Sequence, residues 1–189
     1  MNSTEALNRL KEGNTRFVNA NPSTPAQGDA ARSTLTTGQS PYAIVLSCAD
    51  SRVVPELAFD TGLGEIFIIR VAGNVANTSS IASIEYAVAH LGTKLIVCMG
   101  HQSCGAVGAA IQGGDNGFNL NQLVSYIKPS VDKLGTDAPV DEIIKENANN
   151  SAQTLLDRSE IIKNAVASEG VQIVSAYYHL DSGKVDFEV

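Results

Sequence analysis

Four short apolar runs, each followed by a stretch with helical patterning, constrain this chain more than any other feature. Tyr42 to Ser47, Ile66 to Arg70, Lys94 to Met99 and Val171 to Leu180 read as buried strands. Between them, Ser79 to Leu91 reads as a helix closed by Gly92, a good residue for a helix end. Cys104 to Gln112, Asn119 to Leu134 and Val140 to Ser168 read as further helices. Strands joined by helical crossovers make an α/β fold around a mostly parallel sheet of four strands. The turn Asp181-Ser182-Gly183 leads into Val185 to Val189, which should add an antiparallel fifth strand at one edge. The N-terminal part, about residues 3–40, reads as a helical arm. Ser3 caps a helix reaching Val18, with Leu7, Leu10, Asn14 and Phe17 on one side. Asn21 to Ser40 follows as a loop or weak helix that covers something. A length of 189 residues suits one domain, 1–189.

Ligands of open parallel sheets gather beyond the carboxyl ends of the strands. Cys48 follows the first run, in Cys48-Ala49-Asp50-Ser51-Arg52, and His101 follows the third, in Gly100-His101-Gln102-Ser103-Cys104-Gly105. Two thiolates and an imidazole suit zinc, and three protein ligands leave one tetrahedral position open, as in catalytic sites. His101 and Cys104 are three apart, so one turn can aim both at one ion, and the start of a helix favours a thiolate at Cys104. The competing reading is two buried cysteines and a packed histidine. Asp50 and Arg52 are spaced to pair. Unpaired, Asp50 could fill the fourth metal position; held by Arg52, it can accept a hydrogen bond from a metal-activated water.

Composition narrows the function classes. The formal net charge of −7 argues against a nucleic-acid or anionic-membrane partner. No apolar run approaches the roughly 20 residues of a membrane span. With no apolar signal core near Met1, the cytoplasm is the default location. Three cysteines make a poor disulfide framework and point to thiol or metal chemistry. Cys98 lies inside its strand and reads as core. His90 reads as satisfying the carbonyls at its helix end, and His179 as structural. Tyr86 suits either the core or the active-site side of its helix. Gly100 and Gly105 belong to no complete phosphate-binding fingerprint.

The segments Cys48-Ala49-Asp50-Ser51-Arg52-Val53, Gly64 to Arg70, Ala72-Gly73-Asn74, Ser83 to Ala87 and Gly100 to Gly105 together resemble the β-class carbonic anhydrases, in order and at that family's spacing. The resemblance implies reversible hydration of carbon dioxide to bicarbonate and a proton, with one Zn²⁺ per subunit. It implies Cys48, His101 and Cys104 as zinc ligands and Asp50–Arg52 as the catalytic pair, Asp50 binding the metal only in a closed, inactive state. Gln39 matches a glutamine that donates into a partner's substrate pocket. Phe67 and Ala72 match pocket positions, and Gly105 matches the glycine after the last ligand, where close backbone approach is expected. Family members regulated by bicarbonate carry a tryptophan at the position of Val45; this chain has no tryptophan. The resemblance further implies a homodimer or higher even oligomer, and the apolar side of the first helix offers a surface for a partner. The rivals are a carbon disulfide or carbonyl sulfide hydrolase on the same scaffold and a non-catalytic zinc-binding or bicarbonate-sensing protein. The ordinary setting of Ser51 and Val53 favours carbon dioxide, and a purely structural zinc has no need of Asp50 and Arg52.

Overall fold

The computed structural model describes residues 1–23 and 27–189. Its centre is a five-stranded sheet in the order β2-β1-β3-β4-β5. The strands are β1 (Ala43–Ser47), β2 (Ile66–Arg70), β3 (Leu95–His101), β4 (Gln172–Tyr178) and β5 (Val185–Phe187). The first four are parallel, and β5 pairs antiparallel with β4. The helices are α1 (Ser3–Val18), α2 (Asp29–Thr34), α3 (Pro55–Ala58), α4 (Thr78–Leu91), α5 (Gly105–Gln112), α6 (Phe118–Ser125), α7 (Lys128–Leu134), α8 (Val140–Arg158) and α9 (Glu160–Ser168). No helix among the described residues is long and apolar enough to cross a membrane.

Strand alternation builds two cores. Ala43 and Val45 of β1, with Leu95, Val97 and Met99 of β3, face one side, where Ala6, Leu7 and Leu10 of α1 cover them. Ile44, Leu46, Ile96 and Cys98 face the other, against Ile84, Ala87 and Val88 of α4 and Ile162 of α9. Both faces are buried, so these strands read as unbroken apolar runs.

Several boundaries differ from the sequence reading. Asn2, not Ser3, caps α1, in a capping box with Glu5. The apolar side of α1 is not free for a partner: it lies on the chain's own sheet. Gly13 lies so close to α3 that an added Cβ would fall 1.9 Å from the Phe59 carbonyl oxygen. The buried side chain of Asn14 donates to the carbonyls of Ala58 and Gly183 and accepts from the Val185 amide. The expected helix 119–134 breaks into α6 and α7. Pro129, at the start of α7, has no amide hydrogen to continue the earlier hydrogen-bond ladder. The expected helix 140–168 breaks at Ser159, which is extended and caps α9 by accepting from the Ile162 amide.

Candidate metal centre

The chain runs from β1 out to β2 at one edge and then returns to β3 on the other side of β1. The carboxyl ends of β1 and β3 therefore flank a topological switch point, where open α/β sheets bind ligands. Cys48 leaves β1 there, and His101 is the last residue of β3. Ser103 takes a left-handed backbone (φ 57°) and turns the chain so that Cys104 becomes the N-cap of α5. The Sγ atoms of Cys48 and Cys104 and a ring nitrogen of His101 lie within 4.8 Å of one another, all buried. Around them pack Val75, Val107, Ile127, Ile143, Ile144 and Tyr177.

The protonation pattern suits a cation. His101 Nδ1 lies 2.9 Å from the Gln102 carbonyl, which accepts its proton and leaves the Nε2 lone pair free. Nε2 is buried without a hydrogen-bond partner among the described residues. Such an orphan is costly unless something else engages it. The hydrogen bond from Cys104 pulls the Cys48 thiol down to about 4 against the opposing effect of burial, helped by His101 and the amides of Asp50 and Gly73. The same bond, with burial, pushes Cys104 far up, while the amides of Ala106 and Val107 at the start of α5 oppose it. A tetrahedral zinc with Zn–S bonds of about 2.3 Å spaces its sulfurs about 3.8 Å apart, so small side-chain rotations would close this set on one ion. The donor set therefore fits zinc.

Asp50 stands beside the cluster, with Oδ2 3.8 Å from His101 Nε2, too far for a hydrogen bond. Both its oxygens are engaged by Arg52: Nε donates to Oδ1 at 2.9 Å, a terminal nitrogen donates to Oδ2 at 2.8 Å, and the Arg52 amide also reaches Oδ1. The Arg52 hydrogen bonds hold the Asp50 carboxyl well below the usual carboxylate range. This two-pronged pair is the arrangement expected from the spacing. Arg70, at the end of β2, supports it from outside by donating to the Cys48 carbonyl at 3.0 Å and to the Asp50 carbonyl. Its role was missed in the sequence, because only strand pairing brings β2 beside the loop after β1.

The remaining candidates divide. Ala72 stands next to Gly73, whose amide donates to Cys48 Sγ at 3.3 Å. Gly105 follows Cys104, yet a Cβ there would meet nothing within 4 Å, so the chain's own packing does not require glycine. Phe67 is the second residue of edge strand β2 and packs toward the α4 side, 6.5 Å from the Tyr86 ring. Gln39 is exposed in the loop before β1. Neighbouring Pro41 accepts a hydrogen bond from Thr93, just before β3, at the amino end of the sheet. The chain therefore brings neither Phe67 nor Gln39 to its own cysteine–histidine cluster.

The other histidines and the third cysteine lie elsewhere. Tyr86 is half exposed and fills no core. The His90 ring stacks on it at 5.1 Å instead of bonding helix-end carbonyls. His179 pairs with Asp186 and meets Tyr177 edge-on, a structural role. Cys98 is fully buried in β3, where burial pushes its thiol up to about 12.

Comparison with known proteins shows the family. The carbonic anhydrase family model matches residues 43–185. The chain belongs to the β-carbonic anhydrase family. It is thus a carbonate dehydratase, a lyase. Carbonic anhydrase 2 of Mycobacterium tuberculosis is 40% identical, covering 97% of this chain and 91% of that protein. Carbonic anhydrase of Mycolicibacterium smegmatis is 41% identical, covering 98% and 93%. A solved structure from a study of two tetrameric β-carbonic anhydrases of Sordaria macrospora superposes with a TM-score of 0.76 at 26% identity, covering 82% of this chain and 84% of that one. The Coccomyxa β-carbonic anhydrase, solved with acetazolamide, gives 0.74 at 27% identity, covering 84% and 77%.

Proposed function

We propose that this carbonic anhydrase works with one zinc ion per subunit, held by Cys48, His101 and Cys104, and that Asp50 and Arg52 are its catalytic pair. The observation that carries the proposal is a buried, partnerless His101 Nε2 in a Cys-His-Cys cluster beside an arginine-held carboxylate. When bound, zinc supplies Lewis-acid activation of water at neutral pH. Asp50 accepts a hydrogen bond from the attacking water and orients it toward carbon dioxide. Arg52 fixes both carboxylate oxygens, so Asp50 is held back from becoming a fourth ligand; released from Arg52, it would close the site. Ala72 and Gly105 border the reacting centre on either side.

The pocket is completed by a second copy of the chain, which supplies Gln39 and the wall that includes Phe67. Three facts support this reading. Gln39 precedes β1 while Cys48 follows it, and five residues of strand span about 16 Å. Edge strand β2 leaves Ile66, Phe67, Ile68 and Ile69 only partly buried in one chain. A solved relative comes from a study of tetrameric enzymes. We place the enzyme in the cytoplasm, in keeping with three free cysteines and no disulfide among the described residues.

Stopped-flow carbon dioxide hydration, paired with elemental analysis of the same sample, tests the assignment. The expected result is one zinc per chain and turnover across about pH 6.5 to 9, a range bracketing zinc-water titration. A zinc-loaded protein inactive throughout that range would overturn the catalytic reading.

A further inference from the structure

The amide of Gly73 donates to the sulfur of Cys48, and the turn that carries it is closed by one backbone hydrogen bond of its own, from the Asn74 amide to the Val71 carbonyl at 2.9 Å. Gly73 (φ 68°) and Asn74 (φ 44°) are both left-handed, which is uncommon for a residue with a side chain. Asn74 is buried, and its own side-chain amide has no partner among the described residues, so the side chain does nothing to offset the strain of that conformation. A Cβ on Gly73 would come within 2.7 Å of Ile127 Cδ1, so the turn is also pressed against its neighbours.

Further restraint comes from α8. Asn147 Nδ2 donates to the Gly73 carbonyl at 2.8 Å, and Ser151 Oγ donates to the Asn74 carbonyl at 3.0 Å. The two side chains are one helical turn apart on one face and are fully or almost fully buried. The same helix presses on β3 next to the histidine ligand: a Cβ on Gly100 would lie 2.9 Å from Ile144 Cγ2. One rigid element thus abuts both halves of the ligand set.

We propose that Asn147 and Ser151 are positioning residues of the metal centre. They clamp the turn 72–74 so that the Gly73 amide points at the Cys48 sulfur. That hydrogen bond draws electron density from the thiolate, reduces its donation to the metal and leaves the ion a stronger Lewis acid than two unrestrained thiolates would allow. The inference rests on the zinc reading above.

The test uses the cobalt(II)-substituted full-length protein and zinc competition against a chromophoric chelator. Wild type should show a thiolate-to-cobalt charge-transfer band. Ser151→Ala and Asn147→Ala should shift that band to longer wavelength, because the sulfur regains its full donation, and should weaken zinc binding about 10- to 100-fold, because Cys48 is no longer held in its ligating position. Ser151→Thr, which keeps the hydroxyl, should restore both. If Asn147→Ala fails to fold, the serine pair carries the test. Folded alanine variants with the wild-type band and zinc affinity would overturn the positioning role and leave the zinc assignment standing, as would a threonine variant that behaves like alanine. A wild-type protein with no thiolate–cobalt band would overturn both.

Discussion

At the scale of single residues, the proposed centre depends on which groups would touch the metal and which would only direct its neighbours. Asp50 is engaged on both oxygens by Arg52 and lies outside the set of mutually close ligand atoms. Asp50→Asn should therefore retain zinc by elemental analysis while lowering kcat/KM for carbon dioxide about 100-fold, the usual scale of a lost proton acceptor. Arg52→Ala should also lower activity, for a different reason: it frees Asp50 to approach the metal. That variant should regain activity as rising concentrations of a small guanidinium compound are added, whereas Asp50→Asn should not. The five central residues were legible in the sequence as two short clusters, Cys48-Asp50-Arg52 and His101-Cys104, which the family resemblance put together. Arg70 was not, because its partners are the carbonyls of Cys48 and Asp50, reached only across the β1–β2 pairing.

At the scale of elements, α1 is the clearest departure from expectation. Its apolar stripe was correctly read, but periodicity says only that a helix has something to bury, not what it buries against. Gly13 decides this, because its missing side chain lets α1 approach the Phe59 carbonyl. Gly13→Ala should destabilise the protein by about 2 kcal/mol or more, read as a lower urea midpoint, because the clash is with backbone that cannot move aside. Asp60, just after α3, joins the same contact. Burial alone would raise its pKa, but the hydrogen bonds from Arg16 and the Ser23 amide outweigh it and hold the carboxyl below its usual range. A depressed folded pKa contributes stability that is present above the unfolded value and is lost as the pH falls through the folded one. Urea stability should thus decline as the pH drops below about 4, the ordinary aspartate value. Asp60→Asn should be less stable at neutral pH and should show a shallower acid decline.

At the scale of the whole molecule, the sheet order separates residues that the proposed reaction needs together. Gln39 lies before β1, at the end of the sheet opposite Cys48, so on the proposed reading the pocket takes the glutamine of another copy. Co-expressed Gln39→Ala and Cys104→Ser chains test this directly. In a mixed dimer, the chain with intact ligands receives a native glutamine from its partner. The mixture should be several-fold more active per intact metal site than Gln39→Ala alone. If each chain used its own glutamine, mixing would bring no recovery.

The sequence by itself determined the alternation of buried strands and helices, the parallel sheet, the candidate cysteine and histidine residues and the Asp50–Arg52 pair. These rest on local periodicity, short spacing within each half of the site and the family resemblance that joins the two halves. Only the tertiary structure decided that β1 and β3 are neighbours, that α1 is consumed by its own core, and that Arg70 and α8 restrain the loops around Cys48. Those facts rest on contacts between residues far apart in the chain, where close packing and buried hydrogen bonding select a partner that no local pattern names.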